Sequence, residues 1–236
     1  MNNSNEHATY WSLNLLDLLQ QMAEKNSNAV LEVLQGIDRL ESERRYPDAG
    51  LLFADNQWRA FYHCHKDNLV HPDEHGHFHL FTNIDDQQWA HVVGLSIDAS
   101  GQPLQWFMVN RWVTDGPWLG HEFFLDKLNA VTADASNETL LGQWLASMLQ
   151  LYNGSLPALL KDRDEALALK SKDKSLHDTG EKDKEQNEAM EDRDIYTLAT
   201  LEINLQKLLE QNLLNKPVIT QQQKQSNKKV APRSVE

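Results

Sequence analysis

Residues Glu74-His75-Gly76-His77-Phe78-His79-Leu80-Phe81 set three histidines at alternate positions, which is the two-residue period of a β-strand. On a strand, His75, His77 and His79 share one face while Phe78 and Leu80 point to the other. Eight of the ten histidines fall between His63 and His121. Packing alone does not account for that crowding, because imidazole is a poor core filler. The pattern points to a site.

Gln57 to His65 repeats the period, with Phe61, His63 and His65 on one face and Ala60, Tyr62 and Cys64 on the other. Paired around the Lys66–Glu74 loop, His63 and His65 fall opposite His75, His77 or His79. Facing Cβ atoms on adjacent strands lie about 4.5–5.5 Å apart, and a first-row metal holds imidazole nitrogen at about 2.0–2.1 Å. Three or four imidazoles from two paired strands can therefore converge on one ion. His63, His65, His77 and His79 are the candidate ligands. Glu74, Asp73 or Glu122 could add a carboxylate, giving a mixed nitrogen and oxygen site that suits iron, manganese or zinc. His75 or Glu74 would then be the nearby acid or base. Arg111 would orient a small anionic substrate, because guanidinium pairs bidentately with such groups. The reading is a metal-dependent enzyme of unassigned reaction, with metal storage or sensing without turnover as a variant.

A competing reading uses the same residues without metal. The histidines form a hydrogen-bond network over buried backbone groups, Arg111 makes a surface ion pair, and the chain is a non-catalytic ligand- or protein-binding module. His91 and His121 read as structural, His7 and His177 as surface residues. Cys64 is the only cysteine, which excludes an intrachain disulfide and a thiolate-rich zinc site. Strand alternation sends it to the core.

Around the histidine strands the periodicity changes. Thr9–Glu24 carries Leu15, Leu18, Leu19 and Met22 at helical spacing. A second helix is expected from the Asn26-Ser27-Asn28 caps up to the charged run before Pro47. Four strands follow, ending with Leu104–Val113, and a short fifth is expected near Leu201–Leu205. The fold class is α+β: an antiparallel sheet of four to five strands covered by N- and C-terminal helices. Residues 1–160 make the histidine-rich core domain. Twenty of the 34 residues in Lys161–Asp194 are charged, so a disordered linker or a solvated helix extension is expected there. Residues 195–215 return to the core, and 216–236 form a disordered, basic tail.

The net charge of −13 argues against a general nucleic-acid grip, which needs cationic surface, and against adsorption on anionic lipid. No apolar run approaches the roughly 20 residues of a spanning helix, and the first residues lack the pattern of a signal peptide. A cytoplasmic protein is expected, with its oligomeric state open. The segments Tyr46-Pro47, Tyr62-His63-Cys64-His65, Glu74-His75-Gly76-His77-Phe78-His79 and Asn110-Arg111-Trp112-Val113-Thr114 together resemble a bacterial family known as a domain of unknown function. The resemblance runs from Tyr46 to Thr114 and more loosely over the later helices. It implies no activity, but it supports the histidine block as one unit.

Overall fold

A computed structural model describes residues 2–65, 70–85, 88–133, 138–175 and 187–214. Six strands form one antiparallel meander in chain order: β1 (Tyr46–Phe53), β2 (Trp58–His63), β3 (Gly76–Asn83), β4 (Trp89–Ile97), β5 (Pro103–Val109) and β6 (Thr197–Glu202). The helices are α1 (Asn2–Glu24), α2 (Ala29–Val33), α3 (Arg111–Thr114), α4 (His121–Asn129), α5 (Leu140–Leu151), α6 (Leu156–Ser175) and α7 (Leu205–Leu214). The class is the expected α+β, but with one strand more than the four to five expected. The extra strand is β1, whose Pro47, Asp48 and Gly50 break the apolar period; such residues are tolerated at a sheet edge, where one row of backbone groups needs no partner.

One sheet face is the main core. Trp58, Ala60, Tyr62, Phe78, Leu80, Leu95, Trp106 and Met108 cluster there with Leu15 and Met22 of α1 and Trp144, Leu145 and Met148 of α5. Helix α5 is buried along nearly its whole length. It lies against both the sheet, through the Phe78–Trp144 ring contact, and α1, through Asn14 and Ser147. His7 joins that helix contact by bonding Gln150 at 2.8 Å, while staying exposed as the sequence suggests.

Several boundaries differ from the sequence reading. The second helix, expected to reach the charged run, stops at Val33, and Gly36 follows with positive φ. The strand expected near Leu201–Leu205 runs instead over Thr197–Glu202. The stretch Asn110–Thr114 does not continue the strand. The Asn110 side chain accepts the Arg111 N–H and starts the one-turn helix α3, the usual work of an N-cap asparagine. The charged run begins as a helix extension, one of the two forms expected, but with one face buried. Helix α6 carries on to Ser175 because Arg163, Leu167 and Ser171 recur on one buried face. Residues 187–190 form a helical turn whose Ala189 and Met190 pack with Leu167 and Trp118. His177, the rest of the charged run and the tail 216–236 lie outside the described residues.

Candidate metal centre

The second sheet face carries the histidines, and strand register puts them there. His63 of β2 stands opposite His77 of β3, and Phe61 opposite His79. The same two rows continue across the sheet, through Ser96 and Gln105 on one side and Gly94 and Phe107 on the other. His65 lies just past the end of β2, yet its ring centroid is 4.7 Å from that of His63 and 5.2 Å from that of His77. His63 and His77 are 4.4 Å apart by the same measure, and His79 lies 4.9 Å from His77. One ligand nitrogen each from His63, His65 and His77 falls within 4.8 Å of the others. A tetrahedral ion with bonds of 2.0–2.1 Å needs roughly 3.3 Å between its ligand atoms. Small rotations of the rings would therefore close the set.

The nitrogens are dressed on one side only. His77 Nδ1 meets Glu74 Oε1 at 2.6 Å, with both side chains buried. A carboxylate only accepts, so with Glu74 ionised Nδ1 carries the proton and Nε2 offers its lone pair. That is the arrangement that fixes a metal-binding histidine. His79 Nδ1 lies 2.9 Å from His91 Nε2. The Nε2 atoms of His63, His65, His77 and His79 are buried without a hydrogen-bond partner among the described residues, as is Glu74 Oε2. An unsatisfied buried polar atom costs about 1–3 kcal/mol. Four such atoms would take a large share of the roughly 5–15 kcal/mol that stabilises a domain.

Burial above all, and then neighbouring imidazole or guanidinium groups, favour the neutral form of His63, His65, His79 and His91. His63 is pushed down to about 3 by desolvation, then by His77, His65 and Arg45. His65 is lowered by desolvation and His77. His79 is held well below the ordinary histidine value by desolvation, His77 and His91. His91 is pushed down to about 3 by desolvation and then Arg163. Neutral imidazole is the form that binds a metal.

The wall behind the rings depends on a glycine. A Cβ at Gly94 would lie 2.2 Å from the Phe107 ring, so only glycine lets that ring lie flat over β4. There its centroid reaches 5.1 Å from that of His77 and 5.7 Å from that of His79. Gln105 donates to the Val70 carbonyl at 2.6 Å, which draws the loop before β3 over this face and returns Glu74 to His77. Beside His63, a cavity of about 20 Å³ is lined by Arg45, Phe61, His63, His79, Phe81, Val113 and Thr114. It has room for roughly one water molecule.

The other expected residues separate. His75 turns away from the cluster: its Nδ1 meets the hydroxyl of core-facing Tyr62 at 2.6 Å. That hydroxyl fills the place a Cβ on Gly76 would take, 2.4 Å away. Arg111 pairs with Glu191 and is not among the residues lining the cavity at His63; Arg45 is the cation there. Asp73 and Glu122 are exposed. Cys64 sits half-buried past the end of β2 rather than in the core. His121 has a structural place, bonding Asp164 through its ring and its backbone N–H.

Two residues outside the expected ligand set lie beside the histidines: His91, read from the sequence as structural, and Tyr196. His91 reaches this face because β3 and β4 slip register between Leu80 and Phe81, so that Leu80 faces Val93 while Phe81 faces His91. The inserted residue is a bulge, which resets the alternation. Without it, His91 would lie on the opposite face from Gly94 and Ser96. Tyr196 stands with its ring 6.5 Å from that of His65. Its hydroxyl is buried without a partner among the described residues. Burial, and next the charge of Glu74, raise its pKa. No local sequence signal marks Tyr196, which arrives from far along the chain.

The chain belongs to a family described as a domain of unknown function (DUF6969), whose model matches residues 11–203. That span takes in the sheet, the histidines, Glu74 and Tyr196. No curated protein and no solved structure matches the chain. No helix among the described residues is long and apolar enough to cross a membrane.

Proposed function

We propose that this member of the DUF6969 family is a metal-dependent enzyme, with a divalent ion held by the Nε2 atoms of His63, His65 and His77. The observation that carries the reading is the set of buried, unpartnered Nε2 atoms, three of them on rings that lie close enough to share an ion. The metal-free network accounts for the Nδ1 atoms of His77 and His79, which have partners. It leaves the Nε2 atoms without any among the described residues. Three protein ligands with a fourth position open are the pattern of catalytic rather than structural centres. Imidazole donors beside a carboxylate suit zinc, iron or manganese.

When bound, the ion would polarise an oxygen of the substrate as a Lewis acid. Glu74 fixes the tautomer and orientation of His77 through one oxygen and keeps the other for proton transfer. Arg45, at the edge of the small cavity beside His63, takes over the anion-orienting role expected of Arg111. A small anionic substrate fits that charge.

The test is elemental analysis of untagged protein, with thermal melts in the presence and absence of chelator. Stoichiometric metal in wild type, its loss on dialysis of His77→Ala, and a melt lowered by chelator are expected. Wild type without metal, with a melt indifferent to chelator and to added zinc, iron or manganese, would sink the proposal. The catalytic half is tested separately, by adding azide to the Co(II)-loaded protein. A centre closed to azide would be a structural metal site.

A further inference from the structure

The segment 187–196 is clasped by one short stretch of chain, and all three residues of that stretch take part. Asn110 donates from its side chain to the carbonyls of Ala189 and Asp192, and from its backbone to the carbonyl of Tyr196. Arg111 pairs with Glu191. Trp112 donates its indole N–H to the Ile195 carbonyl at 2.9 Å, and its face receives the Arg193 guanidinium at 5.1 Å. A surface loop with no task would not need this many bonds, three of them from a fully buried asparagine. What the clasp places is Tyr196. Its ring lies edge-on between His65, at 6.5 Å, and Trp112, at 5.9 Å.

The Tyr196 hydroxyl and Glu74 Oε2 are both buried and both unpartnered among the described residues. A phenol offers a donor and a carboxylate offers an acceptor. A species that bridges the two must accept from the phenol and donate to the carboxylate, as water or a substrate hydroxyl does; a small anion can accept from the phenol only. We propose that Tyr196 is a positioning residue of the histidine centre, its hydroxyl donating to the non-protein ligand in the open coordination position. On this view the Asn110-Arg111-Trp112 stretch holds it there. The inference rests on the metal-centre reading, and deepens it by naming what the protein presents to the incoming ligand.

The experiment uses the full chain loaded with Co(II), comparing wild type with Tyr196→Phe. The substitution keeps the ring contacts and removes an atom without a partner among the described residues, so an unchanged melt and unchanged Co(II) stoichiometry are expected. Azide affinity should fall by about tenfold, as for loss of one hydrogen bond worth about 1.4 kcal/mol, and the visible Co(II) bands should shift. Equal azide affinity and an unaltered spectrum in the variant would overturn the role of Tyr196 while leaving the metal centre standing. A sharply lowered melt would overturn it too, by exposing a structural partner for the hydroxyl. Wild type that takes up no Co(II), or takes it up and refuses azide, would bring down this inference together with the catalytic reading.

Discussion

His63, His65 and His79 are all held below their ordinary value, His63 at about 3. Free histidine titrates near 6.5, so the sequence alone predicts that metal is released as pH falls through that value. In the folded site, protons compete less well for these nitrogens. Metal retained in equilibrium dialysis down to about pH 5.5 is therefore expected, and release centred near 6.5 would mean the rings are more solvated than the fold places them. The metal-free protein should behave oppositely in stability. Each of these groups has its folded value below its unfolded one, so the unfolded chain takes up protons first. Stability should be full above about 6.5 and decline from there toward about 3. Urea unfolding of the metal-free form at several pH values checks the sign. Gly94 supplies a second residue-scale test. Gly94→Ala drives a Cβ into the Phe107 ring, and overpacking of this kind costs about 1–3 kcal/mol. It should also weaken metal retention, because the displaced ring is the one against His77 and His79. Unchanged stability would show that Phe107 swings away freely.

Strands β2 and β3 were legible from the sequence because both faces of each obey a strict alternation, histidine or aromatic against core residue. Their register could be anticipated for the same reason: a slip by one residue would send His63 and His77 into the core. Legibility fails wherever an element breaks its own period. The bulge at β4 moved His91 to the site face. The turn before Gly76 aimed His75 at Tyr62 despite a spacing that groups it with His77 and His79. The stretch after β5 read as strand because tryptophan and valine favour strands, and one buried asparagine overrode them. That asparagine is the test at this scale. Asn110→Ala removes the cap of α3 and leaves the Ala189 carbonyl without its donor. A loss of about 2 kcal/mol is expected, and backbone amides of 187–196 should lose hydrogen-exchange protection more than those of β2 and β3. Even loss across the sheet would show that Asn110 supports the whole fold rather than the clasp.

At the scale of the whole molecule, the site is closed by parts far apart in sequence. The sheet edge next to β5 is taken by β6, with Trp106 facing Leu201 and Met108 facing Ala199. Helix α7 then returns to α1, where Asn212 bonds Ser12 and accepts from Thr9 through its carbonyl. The sequence placed a return to the core after the charged run, yet offered no means of seeing that β6 would pair beside β5, since its two leucines, Leu198 and Leu201, stand three apart and set no two-residue period. Everything from residue 187 onward that is described is thus joined to the N-terminal part by strand pairing, by the Asn110-Arg111-Trp112 bonds and by helix contacts. Continuity of the chain between 175 and 187 is not needed for those interactions. A specific protease site inserted there, cleaved after folding, should give two fragments that run together on size exclusion and keep their metal. The cut costs only the tether, whose loss makes association concentration-dependent. Fragments that separate at micromolar concentration, or an N-terminal piece that keeps its metal and its azide affinity without the C-terminal one, would show that β6 and Tyr196 are accessories to the centre rather than parts of it.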